Sequence, residues 1–295
     1  MPRNIPVIDR VWTILDLIRW GAEYFRDKEI DSPRLTIELM ICHVLDIQRV
    51  QLYTDFERPL TREELANLRA MVLRRKDHEP LQYILGQADF YGRPFIVTPD
   101  VLIPRPETEL LVDRVIRGAK GQGSIRCLDI GTGSGCIPVT AAIHLPESHW
   151  LAIDISKGAL DVATRNAERH GVADRVELQQ CDILKEQPAG TFDIITMNPP
   201  YIAAADISEL EPEVRDHEPH QALTDDADGL TFFRRLAVLA SVMLRPGGTM
   251  FIEIGHGQSE LVRSILASAA MKTEIIPDLA MVPRIAIVRN SPSMS

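Results

Sequence analysis

The sequence predicts a mostly parallel α/β sheet with helices on both faces, preceded by a small bundle of helices. Two observations predict this fold class. Beyond about residue 118, short apolar runs alternate with amphipathic helical stretches, which is the pattern of parallel strands joined by helices. A glycine-rich turn, Gly131–Gly135, directly follows the first of these apolar runs, at the position where doubly wound sheets bind ligands.

The first part of the chain carries helical periodicity only. Apolar residues recur every three or four positions in residues 9–27, Pro33 marks the start of a second helix, and Thr61–Glu64 matches the capping box of a third. Prolines and glycines then punctuate short apolar runs, as in a β-hairpin. We therefore expect three segments: a helical domain at 1–76, a β-hairpin linker at 77–106, and an α/β domain at 107–295.

The α/β part is expected to begin with a helix near Leu110 and to continue as regularly alternating elements. Strands are expected at 125–130, 149–154, 175–180, 192–197, 251–254, 273–276 and 284–288. Helices are expected near 134–145, 156–170, 228–243 and 258–269. A turn is expected at 245–248, and residues 290–295 form a polar tail.

Composition narrows the classes of function. The net charge is −10, from 42 acidic and 32 basic residues, and only 5% of residues are aromatic. A protein that holds long nucleic acids through their phosphates is usually basic, so we expect no direct nucleic-acid partner. The four cysteines lack paired spacing and are expected to be free thiols in the core, with no metal site. Without a signal-peptide core or a membrane-length apolar run, we expect a cytoplasmic protein with no membrane partner. A monomer is the default expectation.

The glycine-rich turn is the predicted cofactor site, and two ligands compete for it, a nicotinamide dinucleotide and S-adenosylmethionine. Cys136 stands where the dinucleotide fingerprint places a glycine, and the charge of Asp129 suits a cationic ligand better than a diphosphate. We therefore expect S-adenosylmethionine, with Asp154 accepting hydrogen bonds from the ribose and Asp182 accepting from adenine. The candidate cofactor-binding residues are Asp129, Gly131, Thr132, Gly133, Ser134, Gly135, Asp154, Asp182, Ile183 and Asn198.

The predicted acceptor site is Asn198–Tyr201, which follows the strand at 192–197. Neither Pro199 nor Pro200 can continue a strand, because each lacks a backbone N–H and has a restricted φ. Asn198 is therefore held at the carboxyl end of a strand, the edge at which open α/β sheets bind ligands.

Together these motifs resemble the class I methyltransferases that modify amide or exocyclic amino nitrogens. The chain as a whole resembles the peptide chain release factor glutamine methyltransferases, the PrmC/HemK family. That resemblance includes the helical N-terminal segment, the Glu79–Gly86 and Leu102–Glu109 strings, the glycine loop and Asn198–Tyr201.

The resemblance implies a Rossmann-like, seven-stranded sheet and N5-methylation of the glutamine in the Gly-Gly-Gln motif of release factors. It also implies that the helical domain helps to recognise the release factor. Asn198, Pro199 and Tyr201 are the candidate catalytic residues, and with Pro200 they form the candidate substrate-binding site. We expect the Asn198 side-chain oxygen and the Pro199 carbonyl to accept both amide hydrogens, with Tyr201 packed against the amide plane.

The main rival function is an N6-adenine DNA or RNA methyltransferase, which uses the same tetrapeptide on a similar planar amino group. The low aromatic content and the acidic net charge disfavour it, because such enzymes need surfaces that hold a flipped base. A non-catalytic scaffold is the second rival, which the intact motifs disfavour.

Two positions depart from the family pattern. Met281 replaces a glycine before the last strand, and Ile183 stands where some members place an aromatic residue beside adenine. Several polar residues remain open to either a functional or a structural role: Arg105, Glu109, His217, His220, Glu253 and His256. We expect the segment around the two histidines at 217 and 220 to be a solvated loop.

Overall fold

The computed structural model describes residues 11–267 and 272–290 of the chain, which divide into two compact units after Gly86. Three sequence expectations reach beyond these ranges. Residues 9–10 of the first predicted helix, 268–269 of the last one, and 291–295 of the polar tail lie outside the described residues.

The first unit is made of helices, as predicted. Capping boxes start two of them: the Thr13 hydroxyl accepts from the Asp16 N–H, and Thr61 does the same with Glu64. The core consists of apolar side chains from successive helices, including Phe25, Ile37, Met40 and Leu52, all fully buried. The helices are α1 (Ile14–Arg26), α2 (Pro33–Leu45), α3 (Arg49–Leu52), α4 (Arg62–Arg75) and α5 (Leu81–Leu85).

A buried carboxylate also organises this unit. Glu38 on α2 is 0% exposed and accepts hydrogen bonds from Arg34 at 2.7 Å, Arg49 at 2.7 Å and the Tyr53 hydroxyl at 2.9 Å. Burial alone raises the pKa of Glu38, but the hydrogen bonds from these three partners outweigh it and hold the pKa below its ordinary value. The carboxylate is therefore ionised and fully satisfied at neutral pH.

The second unit contains the predicted seven-stranded sheet. Its strands are β3 (Ile125–Ile130), β4 (Ser148–Asp154), β5 (Val176–Gln180), β6 (Phe192–Met197), β7 (Leu244–Glu253), β8 (Lys272–Pro277) and β9 (Pro283–Arg289). The order across the sheet is β5-β4-β3-β6-β7-β9-β8, with β9 antiparallel to its two neighbours and the other pairs parallel. A two-stranded hairpin, β1 (Gln87–Phe90) with β2 (Arg93–Ile96), precedes the sheet.

Helices cover both faces of this sheet. One face packs on α11 (Thr231–Met243) and α12 (Ser259–Ala267), through residues such as Leu128, Met197, Phe233 and Leu266. The opposite face packs on α6 (Pro106–Ala119), α7 (Cys136–His144) and α8 (Lys157–Arg169), through residues such as Cys127, Val112 and Val139. Alternate strand residues enter the two cores, which explains the continuous apolar runs in the sequence.

Four local expectations were wrong. Residues 81–85 form α5 rather than part of the hairpin, and this helix ends at Gly86, which adopts φ 73°. Helix α6 begins at Pro106 rather than near Leu110, because proline suits a first helical turn. Strand β7 starts at Leu244 and continues through the predicted turn at 245–248 with a register shift opposite β6.

The fourth difference is the segment around His217 and His220, expected to be a solvated loop. It is largely solvent-accessible, but it contains the end of α9 (Pro212–His217) and the start of α10 (His220–Leu223), and a further short helix, η1 (Ala204–Glu209), precedes it. Its polar sequence has no helical periodicity, because these helices are too short to bury a continuous apolar stripe.

Candidate functional site

The glycine loop and the Asn198–Tyr201 loop leave the sheet at the same edge. The first follows β3 and the second follows β6, and these strands are neighbours, with Ile130 opposite Met197. The chain order reverses at this pair, since β4 lies on the other side of β3 and β7 lies on the other side of β6. The carboxyl ends of strands at such a switch point form the ligand crevice of open α/β sheets.

The three glycines of the loop adopt backbone conformations that other residues rarely enter. Gly131, Gly133 and Gly135 have φ values of 69°, 53° and 78°. The loop is fastened from below by Asn166 on α8, whose amide donates to the Ser134 carbonyl at 2.8 Å. Asn166 is fully buried and also bonds both backbone groups of Ile96, a role that periodicity could not reveal.

A cavity of about 300 Å³ lies between the two loops. Of the predicted site residues, it is lined by Gly131, Thr132, Gly133, Ser134, Asp154, Asp182, Ile183, Asn198 and Pro200. Asp129, Gly135, Pro199 and Tyr201 are not among the lining residues. Further walls include residues of 100–105, Thr108 and residues of 219–226. Among these, Arg105 was left open to a cofactor contact by the sequence.

Asp154 is fixed by backbone donors at the end of β4. Its Oδ2 accepts from the Gly133 N–H and its Oδ1 from the Ser156 N–H, both at 2.9 Å. Burial raises the pKa of this carboxyl, and the backbone hydrogen bonds oppose that effect. Each oxygen keeps a further lone pair, so a pair of ribose hydroxyls could still be accepted.

Asp129 lies beneath the loop rather than on the cavity surface, with 0% of its area exposed. Its Oδ1 accepts from the Thr196 hydroxyl at 2.6 Å, whereas its Oδ2 makes no hydrogen bond within the described part of the chain. Burial raises the pKa of Asp129 to about 7, against the opposing hydrogen bond from Thr196. The buried hydroxyls of Thr132 and Ser134 are likewise unpaired among the described residues. Thr132 and Ser134 line the cavity, so their hydroxyls fit a ligand that carries hydrogen-bond donors, and the Asp129 carboxyl beneath the loop favours a positive charge, as in S-adenosylmethionine.

Asp182 and Ile183 lie on the other side of the cavity, after β5. The Asp182 carboxylate accepts from the Leu184 N–H at 3.1 Å and pairs with Lys185 at 2.8 Å. The Lys185 hydrogen bond, the largest influence, lowers the pKa of Asp182, so its side chain is an anionic acceptor. Ile183 is buried and forms an aliphatic wall of the cavity, at the position where some family members have an aromatic residue.

The amide of Asn198 is held by a buried hydroxyl. Asn198 Nδ2 donates to Thr108 Oγ1 at 3.2 Å, and the Thr108 hydroxyl donates to Glu253 Oε2 at 2.7 Å. Thr108 and Glu253 are each 2% exposed. Glu253, which the sequence left open to either kind of role, is thus joined to the acceptor loop, whereas His256 is exposed.

Tyr201 is positioned through its backbone. Its carbonyl oxygen accepts from Gln258 Nε2 at 2.9 Å. Gly229, with φ 74°, packs so closely that an added Cβ would lie 2.2 Å from the same oxygen. Burial, with the negative charge of Glu253, raises the pKa of Tyr201, which is therefore a neutral phenol.

The residues of the Leu102–Glu109 string bond within the second unit. Arg105 pairs with Glu218, and the Glu218 Oε2 also accepts from the Ile103 N–H at 3.3 Å. Glu109 accepts from the Tyr91 N–H at 2.8 Å and so holds the hairpin turn. Sequence reasoning missed Glu218, whose side chain is 1% exposed. Its sequence context, between His217 and Pro219 without a periodic apolar pattern, offered no signal of burial.

All four cysteines are buried free thiols, as expected. Across residues 11–267 and 272–290, no helix has the length and apolar content needed to cross a membrane.

A seven-stranded sheet, a glycine loop after its first strand and Asn-Pro-Pro-Tyr after its fourth define a class I methyltransferase. Residues 16–86 match the PrmC N-terminal domain, and residues 106–211 match the methyltransferase small domain. The chain belongs to the release factor glutamine methyltransferase family, as its motifs predicted.

Two relatives show this membership. The release factor glutamine methyltransferase of Chlorobaculum tepidum is 42% identical, over 92% of this chain and 95% of that protein. Its counterpart in Geobacter sulfurreducens is 44% identical, over 85% of this chain and 87% of that protein. A solved methyltransferase from Pyrococcus furiosus has the same fold, with a TM-score of 0.50 at 18% identity, over 77% of this chain and 99% of that chain.

Proposed function

We propose that this enzyme methylates the side-chain amide nitrogen of the glutamine in the Gly-Gly-Gln motif of peptide chain release factors, yielding N5-methylglutamine. The observation that carries the proposal is the single cavity shared by the glycine loop and by Asn198, on neighbouring strands. The names of the relatives point to the same substrate.

S-adenosylmethionine, when bound, supplies a methyl group activated by a sulfonium. Gly131 and Gly133 let a ligand approach their backbone closely, and Thr132 and Ser134 bring to the cavity hydroxyls that have no partner among the described residues. Asp129 lies beneath the loop and would act on the ligand through its charge. Asp154 would accept from the ribose, while Asp182 and Ile183 would enclose the adenine.

The acceptor is an amide, whose nitrogen is a poor nucleophile because its lone pair is shared with the carbonyl. Asn198 Oδ1 and the Pro199 carbonyl would accept its two hydrogens, which orients the nitrogen and favours the positive charge that grows on it. The methyl carbon would exchange its bond to the sulfonium sulfur for the new C–N bond, and one amide proton would leave through its hydrogen-bond acceptor to solvent, which restores the neutral amide. Pro200 and Tyr201 would pack on the amide plane and exclude water.

The helical segment at 1–76 would help to recognise the release factor, with 77–106 as the linker to the catalytic domain at 107–295. The enzyme would act as a monomer in the cytoplasm, where its substrate is found. Its acidic net charge fits a protein substrate better than a nucleic acid.

Labelled S-adenosylmethionine tests the proposal directly. The enzyme is incubated with a release factor, with the same factor carrying alanine in place of the motif glutamine, and with DNA. We expect label on the intact release factor only, at the motif glutamine by mass spectrometry of its peptides. Label on adenine would establish the rival function instead, and label on the alanine-substituted factor would refute the assigned acceptor.

A further inference from the structure

Three side chains from distant parts of the sequence form one buried chain of hydrogen bonds beside the acceptor site. Asn198 follows β6, Thr108 lies in the first turn of α6, and Glu253 ends β7. The two links measure 3.2 Å and 2.7 Å. Since Thr108 and Glu253 are 2% exposed, water does not compete for either group.

The direction of these hydrogen bonds follows from the number of hydrogens available. A threonine hydroxyl has one hydrogen, and an ionised carboxylate can only accept. The Thr108 hydrogen is therefore used by Glu253, which leaves the Thr108 oxygen as an acceptor for Asn198. Only the NH₂ end of the Asn198 amide can satisfy that acceptor, so its oxygen stays available at the cavity.

We propose that Thr108 and Glu253 are positioning residues that hold the Asn198 amide with its oxygen toward the substrate amide. This inference rests on the proposed function, in which that oxygen accepts a hydrogen from the substrate nitrogen. In the flipped orientation the Asn198 NH₂ group would face the substrate NH₂ group. The substrate amide would then lose one of the two oxygens that accept its hydrogens. Neither positioning residue contacts the substrate in this scheme.

This chain of hydrogen bonds, the Asn198–Thr108–Glu253 relay, depends on the charge of Glu253. Burial raises the pKa of Glu253 to about 7, and the Thr108 hydrogen bond opposes that rise. A protonated Glu253 can donate to Thr108, whose own hydrogen is then free to turn toward Asn198 and favour the flipped amide. Turnover should therefore fall as pH decreases through about 7. The other charged or titratable groups that face Glu253 are Arg105, Glu107, Cys136, Tyr201 and Arg284.

Conservative variants separate this role from a merely structural one. Thr108→Val removes the hydroxyl with little change in size, Thr108→Ser keeps it, and Glu253→Gln replaces the charge with an amide that can donate. Thr140→Val is the matched control, because Thr140 is fully buried on α7 and its hydroxyl has no partner among the described residues.

The assay measures turnover against pH with saturating release factor, together with S-adenosylmethionine affinity by calorimetry. We expect Thr108→Val and Glu253→Gln to lose about 10²-fold in turnover and to lose the acidic limb of the profile. Thr108→Ser and Thr140→Val should keep wild-type turnover and the acidic limb of the profile. The affinity for S-adenosylmethionine should stay unchanged in all four variants.

Two results would overturn the inference: full turnover in Thr108→Val, or a loss of cofactor affinity that parallels the loss of turnover. The wild-type enzyme tests the proposed function separately, since it either labels the motif glutamine or does not. If another planar NH₂ group is labelled, the same variant ratios measured on that acceptor still decide whether the relay exists.

Discussion

Gly229 offers the sharpest test of how the acceptor loop is positioned. It adopts φ 74°, and a Cβ added there would lie 2.2 Å from the Tyr201 carbonyl oxygen and 2.8 Å from its carbon. Gly171, just beyond α8, has a similar φ of 68° but nothing within 4 Å of an added Cβ. The two alanine variants therefore share the backbone strain, and only Gly229→Ala adds a collision with the acceptor loop.

The expected losses of unfolding free energy and of turnover follow from the backbone strain and from the collision with Tyr201. A left-handed conformation costs a non-glycine residue about 1–2 kcal/mol, which both variants should lose in unfolding free energy. The collision requires Tyr201 or its surroundings to move by roughly 1 Å to reach ordinary contact, and a misplacement of that size can lower turnover by about 10²-fold. Gly171→Ala should keep wild-type turnover.

The assay is single-turnover methylation of a release factor, with urea unfolding to measure the shared strain and calorimetry for S-adenosylmethionine. Cofactor affinity should be unchanged in both variants, since the glycine loop is not displaced. If Gly229→Ala turns over as fast as Gly171→Ala, the close contact with Tyr201 does not control the acceptor geometry.

Three further changes are expected to have distinct effects. Asn198→Ala should lower turnover by about 10²-fold or more, far more than it lowers cofactor affinity, and equal turnover would remove Asn198 from its assigned role. Glu38→Gln should cost about 1–2 kcal/mol of unfolding free energy at pH 7, a modest value because two of its three partners are at least half exposed. Since the pKa of Glu38 is lowered on folding, that stabilisation is present above its unfolded pKa and is lost as pH falls through the folded pKa. The difference in unfolding free energy between the wild type and Glu38→Gln should therefore disappear when unfolding is measured at acid pH. A difference that persists there would refute the ionised network. Met281→Gly should raise unfolding free energy by about 1 kcal/mol or less, because Met281 is 76% exposed with φ 64°, and an unchanged melting temperature would show the strain to be negligible.

The sheet and the two site loops could be predicted because their signals are local. Apolar runs mark strands buried on both faces, three spaced glycines require positive φ, and two prolines end a strand wherever they occur. Neighbouring positions for Gly131–Gly135 and Asn198–Tyr201 then follow from the parallel topology alone. Each of these inferences needs only a short stretch of chain.

The polar contacts of the site could not be predicted in the same way. The partner of Thr108 on β7 is 145 residues away, and the partner of Arg105 is 113 residues away. A buried Glu218 and an exposed glutamate look alike in sequence when no periodic apolar pattern surrounds them. The short helices at 204–223 escaped prediction for the same reason.

The Leu102–Glu109 string acquires a physical explanation from these distant contacts. Arg105 binds Glu218 on one side of the cavity, Thr108 joins Asn198 to Glu253, and Glu109 holds the hairpin turn at Tyr91. The start of α6, with its N-cap Arg105, thus contacts four separate segments, while the glycine loop is held independently by Asn166. Substitutions in this turn should therefore lower turnover more than they lower S-adenosylmethionine affinity. The Thr108 variants measure these two quantities separately.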